Sequence, residues 1–579
     1  MSGGLYRSAN ATGPDGPPPG DEAVLISTTP PDEIGARLPG GNTQQVEGSA
    51  AGNSAIMAIG SLVSRGTGFL RTLVLGAALG GGLVGDAYAT AQIFPGMVYE
   101  FLLGGVLTSV VVPVLVRRRK FDPDRGQAYA QRLLTLAVVA LAAATALAML
   151  CAPLLTIVYA TGQQNADWRS LVTVLSYLMI PMVFFTGLSA LMGAVLNTRG
   201  HFFAPMWAPI LNNLVVIGTV GFYIAAFGAK QLAPSQMTPG RIVVLGGGAV
   251  LGVMIQAAGL LPALRRVGFR WRLRFDFRGL GLRELARIGV WSLCYVAVSQ
   301  LGLIVVTNLL NRGGGKHAGP LIYNNVYLLL MMAHGIIGVS VITALMPRMS
   351  GAAADGRRED LASDLSRGTR TIAAVLAPVA VIYMVLALPI SVVLFQHGAY
   401  NRDNAVATGH VLLVAGVALV PFSLSQLYTV VYYAMQDTKT PALVNIPIVV
   451  FRVIVQIVLF AWLTTEFAAA GLMLGNAISY VVGFGVSALL LHGRVGRLGL
   501  PVIVVSFARI AVAALGAALV GLLVVKVLPG RDVMTFEQGL VQLIVGGAAI
   551  GASYLALAAV LRVHEIGAVL ALVKGRLRR

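Results

Sequence analysis

The chain has 579 residues, of which 57% are hydrophobic and only 11% are charged, whereas about 25% are charged in an average soluble domain. This composition, with a mean hydropathy of +0.80, excludes a soluble globular protein and also excludes a wholly disordered chain, which needs low hydrophobicity and high charge density. The net charge of +19 is explained by basic cytoplasmic loops of a membrane protein, without a nucleic-acid partner.

The first 52 residues have the composition of a disordered tail. Residues 13–20 read GPDGPPPG and residues 28–33 read TTPPDE, and no apolar periodicity runs through the segment. The tail also lacks a basic segment followed by a short apolar run, which is the pattern of a cleaved signal peptide. We therefore expect a disordered cytoplasmic tail over residues 1–52, with the first apolar span acting as the insertion signal.

From residue 54 onward, apolar stretches recur that are long enough to cross a hydrocarbon layer of about 30 Å as helices. These stretches predict an all-α polytopic membrane protein with about 14 transmembrane helices. Pro95 and Pro421 lie inside the second and tenth stretches and predict kinks there. The predicted spans are 54–79, 87–116, 131–159, 170–196, 203–227, 241–264, 286–311, 321–347, 370–396, 404–434, 441–465, 467–491, 504–528 and 538–562.

Lys and Arg are unevenly distributed over the connections between these spans. The loops after even-numbered spans and the C-terminal tail carry most of them, including the clusters Arg117–Lys120 and Arg265–Arg287. Because cytoplasmic loops are enriched in Lys and Arg, both termini are predicted to be cytoplasmic. The basic clusters then face the anionic inner leaflet.

Three pairs of segments indicate an internal repeat. Residues 111–115 resemble 344–347, residues 152–162 resemble 388–398, and residues 197–199 resemble 437–439, at separations of about 233 to 240 residues. A repeat of six spans gives two halves of the same orientation. We therefore predict two pseudo-symmetric six-helix lobes, an N-lobe at 53–275 and a C-lobe at 276–495, followed by two further helices and a short basic tail at 496–579.

Two arginines lie inside the first predicted span, where a charged side chain costs about 2.5–3.5 kcal/mol on insertion scales. Arg65 and Arg71 are six residues apart, which on a regular helix means about 9 Å of rise and a rotation of about 240°. Gly66 and Gly68 lie between them and allow this segment to unwind and bring the two guanidinium groups together. Such a pair, with the neighbouring Ser64, suits bidentate recognition of a phosphate.

Acidic residues near the second span offer an alternative role for these arginines. Asp86 stands at its start and Glu100 lies within it. Charges buried in a membrane usually pair, so Arg65 and Arg71 could serve only to neutralise the two carboxylates. The two roles are compatible, since carboxylates that compete with a phosphate for the same arginines would help to release it.

Arg452 is a third charge at membrane depth, about eleven residues past Pro441 in a span without an acidic residue. It must face a cavity or another span. Either a substrate or gating role, or a role in helix packing or snorkelling, explains it. His334 and His410 also lie within spans and receive no role, because a lone membrane histidine is more often an interhelical hydrogen-bond partner.

Enzyme motifs are missing from the sequence. There is no GxxxxGK[ST], HExxH, GxSxG or CxxC pattern, so we expect no enzyme, no ATP-driven pump, no metal site and no cofactor. The two cysteines, Cys151 and Cys294, lie in apolar runs and are predicted to be small core residues. A coupling cation is not identified by any motif.

Five motifs, in this order along the chain, resemble one family. Ser64–Arg71 is similar to its SRxxGFxR signature, and residues 86–88, DAY, to its DAF/DAY. Residues 193–209 resemble GAxLNT...F..P..AP, residues 394–398 resemble LFQxG, and residues 433–441 resemble FYxxQDxKTP. Together they identify the chain as similar to the MurJ (MviN) lipid II flippases of the multidrug/oligosaccharidyl-lipid/polysaccharide exporter superfamily.

The resemblance implies fourteen helices in two lobes around a central cavity lined by spans 1, 2, 7 and 8, and a groove with spans 13 and 14 for the lipid tail. It implies transport of lipid II, an undecaprenyl-pyrophosphate-linked muropeptide, by alternating access across the plasma membrane. Lipid II, membrane lipids and cell-wall synthesis proteins are the expected partners, and nucleic acid is not one. The expected substrate-binding residues are Ser64, Arg65, Arg71, Asp86, Glu100 and Arg452. The expected structural or gating positions are Gly66, Gly68, Asn197, Gln436, Asp437, Lys439 and Pro441.

The chain also departs from the family pattern. Tyr99 and Glu100 stand where members commonly carry arginines in span 2, and no basic residue lies between Asn325 and Met332 of span 8. We expect Arg452 or Arg312 to supply the missing positive charge.

Four other functions stay open at this point. They are a flippase for another polyprenyl-diphosphate glycan, a cation-coupled exporter of the same superfamily, a polytopic glycosyltransferase that uses the same lipid, and a scaffold that recruits cell-wall enzymes through the N-terminal tail. The exporter would favour a carboxylate-lined aromatic cavity, which the paired arginines disfavour. The glycosyltransferase would need an essential acid in the outer loops, where the candidates are Asp167, Asp403, Glu466, Asp532 and Glu537.

Overall fold

The computed structural model describes residues 43–100, 112–124, 126–159, 165–277, 280, 282–312, 319–496, 498–530 and 534–567. The chain divides into two units, Met1–Ala55 and Ile56–Arg579. Of the first unit only residues 43–55 are described, as the first part of a helix. The predicted tail at 1–52 therefore lies largely outside the described residues, and the following paragraphs concern the second unit.

Over these residues the regular structure is helical throughout, without a strand. The helices are α1 Thr43–Leu79, α2 Leu83–Ala91, α3 Ile93–Glu100, α4 Val112–Phe121, α5 Gln127–Leu150, α6 Ala152–Tyr159, α7 Ala166–Met179, α8 Met182–Thr198, α9 Phe203–Phe227, α10 Pro239–Arg266, α11 Leu282–Asn311, α12 Pro320–Ala333, α13 Val339–Ala354, α14 Arg358–Val385, α15 Ala387–Phe395, α16 Arg402–Ala434, α17 Lys439–Trp462, α18 Ala468–Val495, α19 Leu500–Val527, α20 Phe536–Val541 and α21 Gly547–Val560.

Twelve helical segments in the described part of the chain are long and apolar enough to cross a membrane. They coincide with the third to fourteenth predicted spans, so the all-helical multi-pass membrane fold is confirmed. The first predicted span falls on α1. The second falls on α2, α3 and α4, with residues 101–111 outside the described residues. Length and composition thus support twelve transmembrane spans among the described residues. The total of fourteen spans stays a prediction.

The prolines act differently in the two spans where kinks were expected. Before Pro95 the helix is interrupted, since α2 ends at Ala91 and α3 begins at Ile93. Proline has no N–H to donate to the carbonyl four residues earlier, which accounts for the break. By contrast, α16 continues through Pro421 as one helix. A turn of π-helix, His334–Gly338, joins α12 to α13 without interrupting the span.

The N-lobe packs around buried aromatic and aliphatic side chains. Trp168 of α7 is fully buried in this core, and its indole N–H donates to the carbonyl of Leu83 at 3.0 Å, which joins α7 to α2. Asn213 of α9 joins that helix to α1, because its Nδ2 donates to the carbonyl of Ser64 at 3.2 Å and to Oγ1 of Thr67 at 3.1 Å.

The C-lobe contains a more extensive core, formed by α12 to α16 and α18, against which the last helices also pack. Asn445 of α17 joins that helix to α11, because its Nδ2 donates to the carbonyl of Tyr295 at 3.1 Å and to Oγ of Ser299 at 2.9 Å. This connection lies about 232 residues after the Asn213 connection, a separation close to that of the sequence repeat.

The last helices are attached to the C-lobe by polar contacts as well as by packing. Tyr554 of α21 donates its hydroxyl to the carbonyl of Ala374 in α14 at 2.7 Å. Arg370 of α14 forms an ion pair with Glu565 at 2.5 Å, and Glu565 also accepts from Ser506 of α19 at 3.3 Å. These contacts fix α19 and α21 against α14.

Candidate functional site

Helix α1 carries both arginines of the first span and is regular between them. It runs without interruption from Thr43 to Leu79, so the expected unwinding at Gly66 and Gly68 is absent from this structure. A helix tolerates single glycines when its backbone hydrogen bonds remain closed. Arg65 and Arg71 therefore point to different sides of α1 and meet different neighbours.

Arg65 reaches the C-lobe. Its guanidinium lies against Gly335, in the π-helical turn between α12 and α13, and a Cβ at Gly335 would overlap Nη1 of Arg65. The neighbouring His334 is buried, its Nδ1 lies 2.9 Å from Oγ of Ser423, and its ring packs edge-on against Phe422. The absence of a side chain at Gly335 is thus what allows a guanidinium group of the first span to lie at this position.

Arg71 faces its own lobe. Its charge acts on the phenol of Tyr88 in α2. The Nε atom of Arg71 is buried without a hydrogen-bond partner in the described part of the chain. A buried guanidinium with an unused donor is costly in a membrane.

Asp86 binds a helix end in the other lobe. It is 4% exposed, and its Oδ1 accepts a hydrogen bond from the backbone N–H of Leu321 at 3.1 Å. Leu321 is the second residue of α12, and a carboxylate at a helix N-terminus is stabilised by the free N–H groups and by the helix dipole. Gly319 makes the approach possible, since a Cβ there would overlap the carboxylate.

The alternative in which the first-span arginines only neutralise carboxylates is not what the structure shows. Among the described residues, neither Arg65 nor Arg71 forms an ion pair with Asp86 or Glu100. Glu100 is exposed at the end of α3, and the side chain of Tyr99 lies outside the described residues.

Asp86 belongs to a seam between the lobes, which we define by residues 77–86 on one side and residues 319–322 and 398–404 on the other. The N–H of Ala399 donates to the carbonyl of Ala77 at 2.7 Å, and the N–H of Gly81 donates to Oδ1 of Asn404 at 2.9 Å. These bonds and the Asp86 contact close the lobes against each other on the side opposite to the basic loops.

Arg452 lies elsewhere, in the C-lobe. It lines a cavity of about 170 Å³ enclosed by α11, α12, α16, α17 and α18, whose lining includes neither Arg65 nor Arg71. Its guanidinium packs against Gly302 of α11. Arg312, the other candidate replacement for the missing arginines, is exposed just after α11. The structure therefore does not join Arg452 to the first-span pair, although the prediction that it faces a cavity agrees with its position.

The motif between α16 and α17 forms a compact polar cluster. Gln436 adopts the left-handed conformation, with φ of 58°, and lines a cavity of about 980 Å³ together with Arg358 and Arg494. Asp437 accepts hydrogen bonds from the N–H and hydroxyl of Thr440 at 2.9 and 2.5 Å and from Arg494 at 2.5 Å. Burial alone would raise the pKa of the Asp437 carboxyl, but these hydrogen bonds outweigh burial and lower it.

The remaining residues of the family motifs contact other parts of the protein. Lys439 begins α17 and places its ammonium 5.5 Å from the ring centre of Trp291, and Pro441 is buried in the same helical turn. Asn197 is near the end of α8, and its carbonyl accepts from the N–H of Gly200 at 3.0 Å. None of these contacts identifies a ligand.

Sequence reasoning missed the glycines that receive the charged side chains. Gly302, Gly319 and Gly335 leave the space that Arg452, Asp86 and Arg65 occupy. Glycine within an apolar span was the available signal for Gly302 and Gly335, but its meaning depends on which distant residue packs there. Gly319 lies between two predicted spans and gave no such signal. In the part of the chain that the structure describes, no group of three or more His, Cys, Asp or Glu side chains could hold a metal ion.

Comparison with known proteins agrees with the motifs. The family model described as "Lipid II flippase MurJ" matches residues 75–539. A probable lipid II flippase MurJ of Rhizobium tropici is 27% identical over 422 residues, which cover 72% of this chain and 76% of the relative. The lipid II flippase MurJ of Burkholderia cenocepacia is 26% identical over 396 residues, covering 67% and 74% of the two chains.

Solved structures share the fold. A lipid II flippase MurJ in an inward closed conformation superposes with a TM-score of 0.69 at 18% identity, covering 87% of this chain and 98% of that structure. An inward-facing multidrug transporter of the MATE family gives a TM-score of 0.61 at 14% identity, covering 74% and 95%. Because the family model matches well over half of the sequence, the predicted family is confirmed, and the chain belongs to the lipid II flippase MurJ family.

Proposed function

We propose that this protein moves lipid II from the inner to the outer leaflet of the plasma membrane, by alternating access and without catalysing a reaction. Family membership, the multi-pass helical fold and the seam that closes one side of the lobe interface support this proposal. The excess of basic residues in the loops after even-numbered spans supports an orientation with both termini in the cytoplasm.

The observation that carries the proposal is the pair of first-span arginines without a carboxylate partner in the described residues. Lipid II has a diphosphate, and guanidinium groups bind phosphate oxygens through charge-assisted hydrogen bonds. In this structure α1 keeps Arg65 and Arg71 apart. Joint contact with one diphosphate requires α1 to unwind at Gly66 and Gly68 during the transport cycle.

The membrane potential is the proposed driving force. A diphosphate diester carries about two negative charges, and each gains about 2.3 kcal/mol per 100 mV on moving away from the negative cytoplasm. No nucleotide is needed if the two charges move without a neutralising cation. Dissipating the potential should therefore slow the appearance of lipid II outside, and an unchanged rate would refute this driving force.

The test is the appearance of lipid II at the outer leaflet of cells depleted of this protein, detected with an added probe that reacts only there. Wild type should restore the signal. Arg65→Gln and Arg71→Gln should each reduce transport roughly tenfold to a hundredfold, the loss expected when a hydrogen bond to a charged group is removed. Arg241→Gln is the matched control, because Arg241 is already bonded to the carbonyl of Gln236 at 2.9 Å.

The same assay separates the other functions. Outer lipid II that persists on depletion, while the polymer made from it falls, would indicate a glycosyltransferase or a scaffold for cell-wall synthesis proteins. An unaffected lipid II signal with loss of a different polyprenyl-diphosphate glycan outside would assign that glycan as the substrate.

A further inference from the structure

The C-lobe cavity around Arg452 has a lining that is polar but almost entirely uncharged. Phenols of Tyr295, Tyr327 and Tyr480, the hydroxyl of Ser299 and the amide of Gln426 face it. Arg452 is the one charged residue among the lining side chains, all of which belong to the described part of the chain. A lining with one fixed positive charge and no carboxylate of its own disfavours a cation and favours an anion. The nearest carboxylate that acts on the lining is that of Glu100 at the end of α3, which acts on Tyr327.

Arg452 itself lacks a counter-charge. It forms no ion pair within the described residues, and its Nε atom is buried without a hydrogen-bond partner. A charge at membrane depth normally pairs with an opposite charge or with carbonyl groups, because its desolvation is costly. The guanidinium occupies space that is open only because residue 302 is glycine, since a Cβ at Gly302 would overlap Nη2 of Arg452.

The neighbouring groups suit an anion as well. The charge of Arg452 acts on the phenols of Tyr295, Tyr327 and Tyr480, which surround it from α11, α12 and α18. A guanidinium offers up to five N–H donors in a planar fork. The phenols add O–H donors, of which one is engaged by the hydrogen bond between Tyr327 and Tyr480. Donors from four helices therefore meet in one small space.

The volume decides the size of the ligand. At about 170 Å³ the cavity is smaller than the roughly 300–1,000 Å³ of sites for drug-sized ligands. It is nevertheless several times the space of about 30 Å³ that one water molecule has in the liquid. A diphospho-muropeptide is far too large, whereas a monatomic anion with a few waters fits.

We propose that the C-lobe cavity binds one small monovalent inorganic anion of the size of chloride, held by Arg452. This site is separate from the diphosphate site proposed at Arg65 and Arg71, and its ligand is not the transported lipid. The bound anion neutralises the guanidinium of Arg452 and so stabilises the C-lobe.

The test is equilibrium dialysis of the purified full-length protein against radioactive chloride, with gluconate keeping the ionic strength constant. Wild type is expected to show saturable chloride binding. Arg452→Gln should weaken it roughly tenfold or more, since a charge-assisted hydrogen bond is lost. Arg241→Gln should leave it unchanged. Arg65→Gln should also leave it unchanged, which separates this site from the diphosphate site.

Several outcomes would overturn the proposal. They are the absence of saturable chloride binding to wild type, full binding to Arg452→Gln, or loss of binding in Arg65→Gln alone. The wild-type result decides even if a variant fails to fold. A second measurement on wild type replaces chloride by bromide in crystals, and the anomalous scattering peak should lie beside the guanidinium of Arg452. A peak found only at other sites would refute the assignment.

Discussion

Asn213 and Asn445 make the same connection in the two lobes. Each donates both hydrogen bonds of its side-chain amide to one helix, to a backbone carbonyl and to a hydroxyl oxygen one helical turn further on. The first, α9 to α1, holds the helix that carries the paired arginines, and the second, α17 to α11, holds the helix that carries Arg452. The two asparagines therefore fix the helices on which the charged side chains depend.

Replacing either asparagine should destabilise the protein. Asn213→Ala and Asn445→Ala each remove two interhelical hydrogen bonds, and we expect a loss of about 1–2 kcal/mol, given about 0.6 kcal/mol for an average interhelical side-chain bond in a membrane. Thermal denaturation in detergent measures the loss. Asn212→Ala is the control, because Oδ1 of Asn212 is buried without a partner in the described residues, and a loss as large as that of Asn213→Ala would refute the role.

The Asp437 cluster should make stability depend on acid pH. The pKa of this carboxyl is lower in the folded protein than in the unfolded chain, so its contribution is complete above the unfolded value of about 3.9. It is lost as the pH falls through the folded pKa. Melting temperatures measured from pH 7 to pH 3 should therefore fall below about pH 4, and less steeply for Asp437→Asn.

At neutral pH Asp437→Asn should already be less stable, by roughly 1 kcal/mol, because its hydrogen bonds from Thr440 and Arg494 lose their charge assistance while solvent screens the half-exposed Arg494. Asp360→Asn is the control, since Asp360 is exposed and its ion pair with Arg357 lies at the surface. A pH profile of Asp437→Asn that matches wild type would contradict the assignment.

The Arg370–Glu565 pair should hold the last helices in place. Glu565 is 8% exposed, and removing one partner of a buried pair commonly costs about 3–5 kcal/mol, because the other charge is left uncompensated. We expect Glu565→Gln to lower the melting temperature. It should also make the segment that follows α21, residues 561–567, more accessible to protease.

A matched surface pair supplies the control for that experiment. Arg357 pairs with Asp355 at 2.9 Å, and both side chains are more than half exposed. Asp355→Asn should leave the melting temperature close to that of wild type, because solvent screens a surface ion pair. If Glu565→Gln were as mild as Asp355→Asn, the ion pair would not be what fixes α19 and α21.

Closure of the seam should depend on Gly398. Its φ is +59°, and a Cβ there would overlap the carbonyl oxygen of Ala77, which accepts the hydrogen bond from Ala399. Gly398→Ala is expected to hold the seam apart and to reduce lipid II transport at least tenfold in the outer-leaflet assay, because a clash with backbone atoms cannot be relieved by a side-chain movement.

Gly200→Ala separates this clash from backbone strain. Gly200 has a similar φ of +78°, but nothing lies within 4 Å of the position of its Cβ. Its substitution should cost about 1 kcal/mol of stability and leave transport close to wild type. Equal loss of transport in both variants would show that strain, and not closure, is responsible.

The sequence predicts candidate site residues among the charged side chains, because a charge within an apolar stretch is visible without a structure. Arg65, Arg71, Asp86 and Arg452 were all selected in this way. Their partners were not predictable by the same reasoning. Asp86 binds the backbone N–H of Leu321, 235 residues away. Every residue except proline has a backbone N–H, so the sequence does not show which of them a carboxylate will bind.

The conformation of α1 shows a second limit. Gly66 and Gly68 allow α1 to unwind but do not make unwinding favourable. The continuous helix keeps the backbone hydrogen bonds that unwinding would break, and their donors and acceptors would then lie unpaired in the membrane. The twelve later spans, by contrast, followed from hydropathy alone, because a bilayer selects long apolar helices whatever their packing.

The hydrogen bonds of the seam set the energy scale for its opening. Each contributes about 0.5–1.5 kcal/mol in net terms, and somewhat more where Asp86 accepts, so together they amount to a few kcal/mol. Two charges crossing a potential of 100 mV gain about 4.6 kcal/mol, a comparable amount. The seam is thus weak enough for the proposed cargo to supply the work of opening it, and water can replace each lost bond as the lobes separate.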